Sequence, residues 1–323
     1  MFEVCARMPA EDVVVYTARM AGSADVDSAV AFPVVRDGSR TLLPTRRVAR
    51  SIAGVARAYG CDRVVFGAAA PLALLARGLR RRTTITHATA ITHGHEVWWA
   101  TVPGARTALR RIGDDVDVVT YVSEFCRARI TRALSPSAVA RMQRLSPWVD
   151  QTRFRPGLDG RVWRVRLGIP ANRPVVLAAS RLVRRKGHDA LIEAWPRVLQ
   201  DHPDAVLVVV GDGPSRQRLA RLSERRGVAG SVVMVPGVAW DHMPQVYAMA
   251  DVFALPCRTR RWGMEPEAFG IVYLEAAACG LPVITGNSGG APEAARQVGG
   301  IVVDGRDVSA VAAVLIRALT SSR

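Results

Sequence analysis

The segment Glu265-Pro266-Glu267-Ala268-Phe269-Gly270-Ile271-Val272-Tyr273-Leu274-Glu275, followed by Ala276-Ala277-Ala278-Cys279-Gly280, sets two carboxylates around a helix start. A helix running from near Gly270 to Gly280 presents free backbone N–H groups at its beginning, beside Glu267, and carries Glu275 inward on its second turn. Amides of that kind hold phosphate oxygens, and carboxylates hold sugar hydroxyls. Glu275 lies inside the apolar run Ile271 to Cys279, where an ionised side chain is costly without a partner, and a bound ribose would supply hydroxyl donors. The same residues also fit a structural pattern, with Glu267 capping the helix and Glu275 bridged to an arginine.

A second cluster lies upstream. Ser180-Arg181-Leu182-Val183-Arg184-Arg185-Lys186-Gly187 follows a predicted strand and leads into a predicted helix over His188 to Leu199, so several cations gather at the positive end of a helix. Such a cluster repels itself unless it holds an anion. Its chemistry would be a diphosphate clamp, Arg181 offering a planar fork to two phosphate oxygens and Lys186 a compact charge. A solvated basic turn is the structural alternative, although Lys186 is the only lysine among the 44 basic residues. Gly211, in Val210-Gly211-Asp212-Gly213-Pro214, reads as a turn that lets backbone approach a nucleotide closely; the third glycine of a dinucleotide loop is missing.

In the first half of the chain, His93 and His95 flank Gly94 with Glu96 adjacent. Neighbours on an extended strand end point to different faces and no third ligand is evident, so no metal is assigned. Trp98 and Trp99 precede a predicted short basic helix, Pro103 to Ile112, bearing Arg106, Arg110 and Arg111. Aromatics beside arginines can seat a protein on anionic lipid headgroups, while an ordinary surface helix with one tryptophan in the core fits equally.

These residues need a scaffold, and the chain alternates short β-branched runs with helix-length stretches. Asp12 to Tyr16, Arg63 to Phe66, Thr83 to Thr92 and Val116 to Tyr121 read as strands, with Arg47 to Tyr59 as a helix. The pattern restarts with strands at Pro174 to Ala178, Ala205 to Val210, Ser231 to Val235, Asp251 to Leu255, Pro282 to Thr285 and Gly300 to Val303. Near-continuous apolar strands with helices between them mean parallel sheets covered on both faces. Two doubly wound α/β domains are expected, 1–150 and 151–323, joined through a stretch rich in proline and arginine between Leu145 and Arg173, with ligands in a cleft at the carboxyl ends of the strands.

Composition agrees: 323 residues, 49% hydrophobic and 22% charged, bury cores of their own and exclude a disordered or collagen-like chain. The longest apolar stretch, Val64 to Ala76, is broken by Pro71 and falls short of a bilayer span. Five cysteines without a Cys-x-x-Cys pair argue against a disulfide framework or a zinc site, and Met1-Phe2-Glu3-Val4 lacks a secretory signal, so residence in the cytosol is expected. The net charge of +16 is spread at +8 on either side of Asp150. It suits nucleic acid, an anionic membrane or a phosphorylated substrate, but no nucleic-acid-binding signature is present and no nucleic-acid partner is expected.

The pair Glu267 and Glu275, the Ser180-to-Gly187 segment and Gly289-Gly290-Ala291-Pro292-Glu293 together resemble family 4 retaining glycosyltransferases of the GT-B fold. More closely, Phe66-Gly67-Ala68-Ala69-Ala70-Pro71-Leu72-Ala73-Leu74, Thr92-His93-Gly94-His95-Glu96-Val97 and Gly270-Ile271-Val272-Tyr273-Leu274-Glu275-Ala276 resemble the PimB-type, GDP-mannose-dependent phosphatidylinositol mannosyltransferases of actinobacteria. The resemblance implies that Arg181 and Lys186 neutralise the donor diphosphate as the glycosidic bond breaks. It implies that Glu275 holds the ribose, that Glu267 contacts the hexose, and that the amides of Gly270, Ile271 and Val272 cap the distal phosphate. His93 would face the donor sugar across the cleft, with His95 as its alternative. The donor is then a substrate, no cofactor or metal is called for, and a lipid acceptor implies a peripheral position at the inner face of the plasma membrane.

Two features depart from the family pattern. The resemblance begins after the family's first strand and glycine-rich loop and ends before its final helices, so those pieces are expected to be absent. Ser146-Pro147-Trp148-Val149-Asp150 also stands where the family has Pro-x-Gly-Val-Asp, a large ring replacing a permissive glycine. Two readings follow: an active mannosyltransferase, or a catalytically weak relative that binds nucleotide sugar or membrane without turnover.

Overall fold

The computed structural model describes residues 2–321. The chain forms two compact units, one built from the residues up to Val122 with Arg127–Leu145, the other from Ser123–Cys126 with the residues from Ser146 onward. The division thus falls after Leu145, and a short segment ahead of it groups with the second unit.

In the first unit, β1 (Val15–Thr17) and β2 (Val34–Arg36) form a parallel pair, while β3 (Arg63–Phe66), β4 (His87–Ala90), β5 (Val118–Tyr121) and β6 (Met142–Arg144) form a parallel sheet in that order. The helix Arg46–Ala58 is N-capped by Thr45, whose Oγ1 accepts from Val48 N at 3.3 Å, and it buries Val48, Ala49, Ala53 and Ala56. The strand expected over Thr83 to Thr92 contracts to β4. Thr83 Oγ1 donates to Leu79 O at 2.8 Å and accepts from Ile85 N at 3.2 Å, so the threonines close a turn instead of entering a ladder. The strand expected from Asp12 begins only at Val15, because Ala10–Asp12 forms a 3-10 turn.

The second unit carries β7 (Val175–Ala179), β8 (Val206–Val210), β9 (Val232–Val235), β10 (Val252–Leu255), β11 (Val283–Gly286) and β12 (Ile301–Val303) in one parallel sheet, ordered β12-β11-β10-β7-β8-β9. The strands β7, β8, β10 and β11 are buried along their whole length, which is why they read as unbroken apolar runs. Strand order reverses between β7 and β10. In doubly wound sheets the loops leaving two such strands diverge and open a crevice at the carboxyl edge. The loops that diverge here are 180–187 and 256–270. Behind them the helix His188–Asp201 buries Leu191, Trp195 and Val198 and packs against the helix Val308–Ser321. A file of aromatic rings, Phe154, Tyr247, Phe253 and Tyr273, runs through this unit with successive centroids 6.0, 5.7 and 6.0 Å apart.

Candidate functional site

The turn leaving β7 is tied to the one leaving β8: Ser180 N donates to Val210 O at 3.1 Å and Leu182 N to Asp212 O at 2.8 Å. Leu182 is buried, so its neighbour Arg181 projects outward and is exposed. Gly211 packs against this turn so closely that a Cβ on it would stand 2.1 Å from Ser180 O. The turn ends in a 3-10 segment, Arg184–Lys186, and in Gly187 at φ +83°, where a Cβ would stand 2.1 Å from Pro256 O. Only a glycine there lets the cationic turn lie against the end of β10.

That approach decides the fate of Lys186. Its side chain is folded inward, leaving the residue 9% exposed, and Nζ lies 2.7 Å from Oε2 of Glu267, itself 6% exposed. Arg185 Nε is 3.9 Å from the same oxygen. Thus the lysine from the first cluster and the glutamate from the second, more than eighty positions apart, are one ion pair. An ammonium has three donors, so contact with one carboxylate oxygen leaves capacity for an anionic ligand.

Two further residues brace the turn. Asp189 Oδ2 accepts from Arg258 Nη2 at 2.6 Å and from Arg218 Nη2 at 3.2 Å, joining segments that follow β7, β8 and β10. Burial pushes the Asp189 carboxyl up, but Arg258 and then Arg218 outweigh it and hold it below the ordinary aspartate value. His188 is buried, with Nε2 3.2 Å from Ser180 Oγ. Burial first, and the positive charge of Lys186 second, depress its pKa to about 3, so the imidazole is neutral. Neither residue was singled out from sequence. An aspartate in the first turn of a helix is a recognisable signal, but its arginine partners are not local.

Glu267 is held through its backbone. Its N–H donates to Ser288 Oγ at 3.1 Å and its carbonyl accepts from Gly290 N at 2.8 Å. A Cβ on Gly289, at φ +58°, would stand 2.0 Å from that carbonyl. The Gly289-to-Glu293 motif therefore clamps the main chain that aims Glu267.

The helix Ile271–Ala278 starts at Gly270, and no side chain caps it. The expected alternative of Glu267 as a cap is not what forms, and the first amides of this helix are left for another acceptor. Glu275 points inward as expected and is 6% exposed, but its partner is not an arginine. Oε2 accepts from the Tyr247 hydroxyl at 2.7 Å. Burial raises the Glu275 pKa above the ordinary glutamate value, and the Tyr247 and Trp240 hydrogen bonds only partly oppose this. Tyr247 escaped the sequence reading because nothing local links it to Glu275.

The remaining candidates lie in the first unit. His93 is exposed with Nε2 2.5 Å from Gly67 O, and His95 Nε2 is 3.1 Å from Ala70 O, so the segments Phe66 to Leu74 and Thr92 to Val97 are neighbours in space. Glu96, not selected from sequence, is completely buried and accepts from the backbone N–H groups of both His93 and Gly94 at 3.0 Å, fixing the loop that carries His93. Among the described residues no group of three or more His, Cys, Asp or Glu side chains is gathered as a metal ion would require. Trp98 and Trp99 meet edge to face at 6.1 Å; Trp98 is exposed and Trp99 half-buried, so neither is the core residue of the alternative reading. Arg106, Arg110 and Arg111 are exposed on the helix Pro103–Asp115, whose inner face is Leu109 and Ile112.

Residues 159–323 match the family model described as glycosyl transferases group 1. A relative from Mycolicibacterium smegmatis, named GDP-mannose-dependent alpha-(1-6)-phosphatidylinositol monomannoside mannosyltransferase, is 47% identical over 93% of this chain and 79% of its own. The chain belongs to the group 1 glycosyltransferases. Another relative, the Corynebacterium glutamicum enzyme named for a monoacylated form of that acceptor, is 42% identical over 91% of this chain and 76% of its own. Among solved structures, Anabaena HepE in complex with UDP and glucose superposes with TM-score 0.75 at 21% identity, covering 96% of this chain and 83% of that one. Sucrose-phosphate synthase from Thermosynechococcus elongatus gives 0.74 at 22%, covering 90% and 75%. The glycosyltransferase thus has the GT-B fold and is similar through most of its length to the PimB-type branch. No helix among its described residues is long and apolar enough to cross a membrane.

Proposed function

We propose that this glycosyltransferase moves mannose, with retention, from GDP-mannose to a phosphatidylinositol monomannoside or a close lipid analogue. The observation that carries the reading is the Lys186–Glu267 ion pair, which sets the cationic turn after β7 beside the segment leading into the uncapped start of the helix Ile271–Ala278, at the switch point between β7 and β10. Negative charge develops on the diphosphate as the glycosidic bond breaks, and fixed donors aimed at that charge lower the barrier. Arg181 and Lys186 bind the diphosphate, the amides of Gly270, Ile271 and Val272 take its distal phosphate, and Gly211 gives the nucleotide close access to the backbone. Glu275 receives the ribose hydroxyls in a site dry enough to make those hydrogen bonds strong. Glu267, aimed by its main-chain clamp, contacts the hexose. Because two side-chain cations and a helix dipole supply the positive charge, no metal or cofactor is required. The acceptor places the enzyme at the inner face of the membrane as a peripheral protein, with Trp98, Trp99, Arg106, Arg110 and Arg111 meeting anionic lipid.

Incubating the chain with GDP-mannose and phosphatidylinositol monomannoside in vesicles tests this. Mannosylated lipid is expected, at a rate unchanged by a chelator. GDP binding without any product would leave the non-catalytic relative as the better description.

A further inference from the structure

In the second unit, the turn after β7, the segment following β8 and the loop 260–265 enclose a cavity of about 450 Å³. Arg181, Arg184, Arg185, Arg218, Arg260 and Arg261 line it, and Glu265 is the only acidic side chain among its lining residues. Lys186, Glu267, Gly270 and Glu275 are not part of its wall, and Arg181 is the one lining residue it shares with the proposed diphosphate site. Its charge is poorly compensated. Glu265 is shared between Arg260 at 3.6 Å and Arg261 at 3.0 Å, and Arg184 has no partner among the described residues; Arg218 reaches Asp189 at 3.2 Å and Arg185 lies 3.9 Å from Glu267, yet the Nε atoms of both have no hydrogen-bond acceptor. Guanidinium groups crowded like this repel one another until an oxyanion enters.

The loop at the rim is unusual in a second way. Arg260 and Glu265 pair across its base, Arg260 N donating to Glu265 O at 3.3 Å and Glu265 N to Arg260 O at 3.2 Å. Between them Arg261 and Trp262 occupy the left-handed region, at φ 49° and 51°, which side chains other than glycine rarely adopt. The result is that Trp262 stands 99% exposed. A strained backbone holding the largest side chain away from every protein contact points to a contact made elsewhere.

We propose that the cavity takes the phosphate of an anionic phospholipid headgroup while Trp262 enters the interfacial layer beside it, so that the second unit docks on the membrane in its own right. Tryptophan favours the headgroup level because its ring is apolar and its N–H is a donor, and each cation near an anionic surface adds to the attraction. A soluble phosphate compound would account for the arginines and leave the ring without a role. A nucleic-acid strand would need further aromatic platforms, and Trp262 is the one aromatic residue in this loop. The inference extends the membrane contact proposed for the first unit and stands whichever sugar is transferred.

The test is co-sedimentation of the full chain with vesicles of phosphatidylcholine, alone or with phosphatidylinositol, alongside GDP titration in free solution. Trp262→Ala and Arg184→Ala alter exposed side chains and should fold normally, as thermal melts would verify. Each is expected to weaken binding to phosphatidylinositol vesicles about fivefold while GDP affinity stays within about twofold of the original chain. Undiminished vesicle binding in both variants overturns the proposal. So does a parallel loss of GDP affinity, which would assign the cavity to the donor. If Arg184→Ala abolishes binding of inorganic phosphate but leaves vesicle binding intact, the ligand is a free anion and the membrane assignment fails.

Discussion

Lys186 is the residue on which the site turns, because it is both a phosphate ligand in the proposed reaction and the partner of a buried carboxylate. Removing it strands Glu267, and breaking a buried ion pair from one side costs about 3–5 kcal/mol. Lys186→Ala is therefore expected to lose stability, with most of the loss recovered when Glu267→Gln is added, measurable by a denaturation double-mutant cycle. In that stabilised background GDP affinity should fall about tenfold or more while guanosine affinity changes little; equal losses would remove the phosphate clamp. Its neighbour His188 makes a separate prediction. Its folded pKa, about 3, lies below the ordinary histidine value of about 6.5, so the unfolded chain takes up the proton first. The stability gained from keeping it neutral is complete above about pH 6.5 and is lost as pH falls from there toward about 3, reaching about 2 kcal/mol at about pH 5. Urea unfolding of His188→Gln across that window should show a flatter pH dependence than the original chain. Identical slopes would mean that the imidazole is not buried neutral.

Elements matter through how closely their ends approach. The turn after β7 can touch the end of β10 because Gly187 has no side chain and adopts a positive φ. Gly187→Ala brings both backbone strain and a collision with Pro256 O, so a loss of about 2–3 kcal/mol is expected, with weaker GDP binding as Lys186 is displaced. Gly230 has open space around it and no positive φ, so Gly230→Ala should stay within about 0.5 kcal/mol of the original chain. Comparable destabilisation in both would show that the close approach is not what Gly187 provides. At this scale the sequence was readable where burial is continuous: the expected strand Arg63 to Phe66 is β3 itself, and the six apolar runs of the second half became β7 to β12 with small shifts at their ends. It failed where burial is partial. The strands β2 and β6 are three residues long and half-exposed or exposed; β6 carries no apolar run, the run Ala29 to Val35 that leads into β2 is interrupted by Pro33, and Thr83 to Thr86 looked extended only because β-branched residues also close turns.

For the whole molecule, a charge of +16 spread through both halves predicts attraction to anionic surfaces that salt weakens. Vesicle binding should fall steeply between about 50 and 300 mM salt, and the difference made by Arg184→Ala should shrink with it. The difference made by Trp262→Ala should persist, because ring insertion is not screened. If both differences vanish together, the tryptophan contributes no insertion of its own.

The sequence by itself determined the two α/β units, the parallel character of the sheets and the identity of the cationic turn and the glutamate-bearing helix. All of these are encoded by periodicity and by residue types close together in the chain. Only the tertiary structure decided which residues share a site. The order of strands set β7 beside β10 and so joined Lys186 to Glu267, the packing of the helices before and after β10 gave Glu275 a tyrosine in place of an arginine, and the segments after β7 and β8 with the loop 260–265 gathered six arginines around one cavity. Local pattern records how deeply a residue is buried, whereas partners distant in sequence are chosen by packing, which no short window of residues contains.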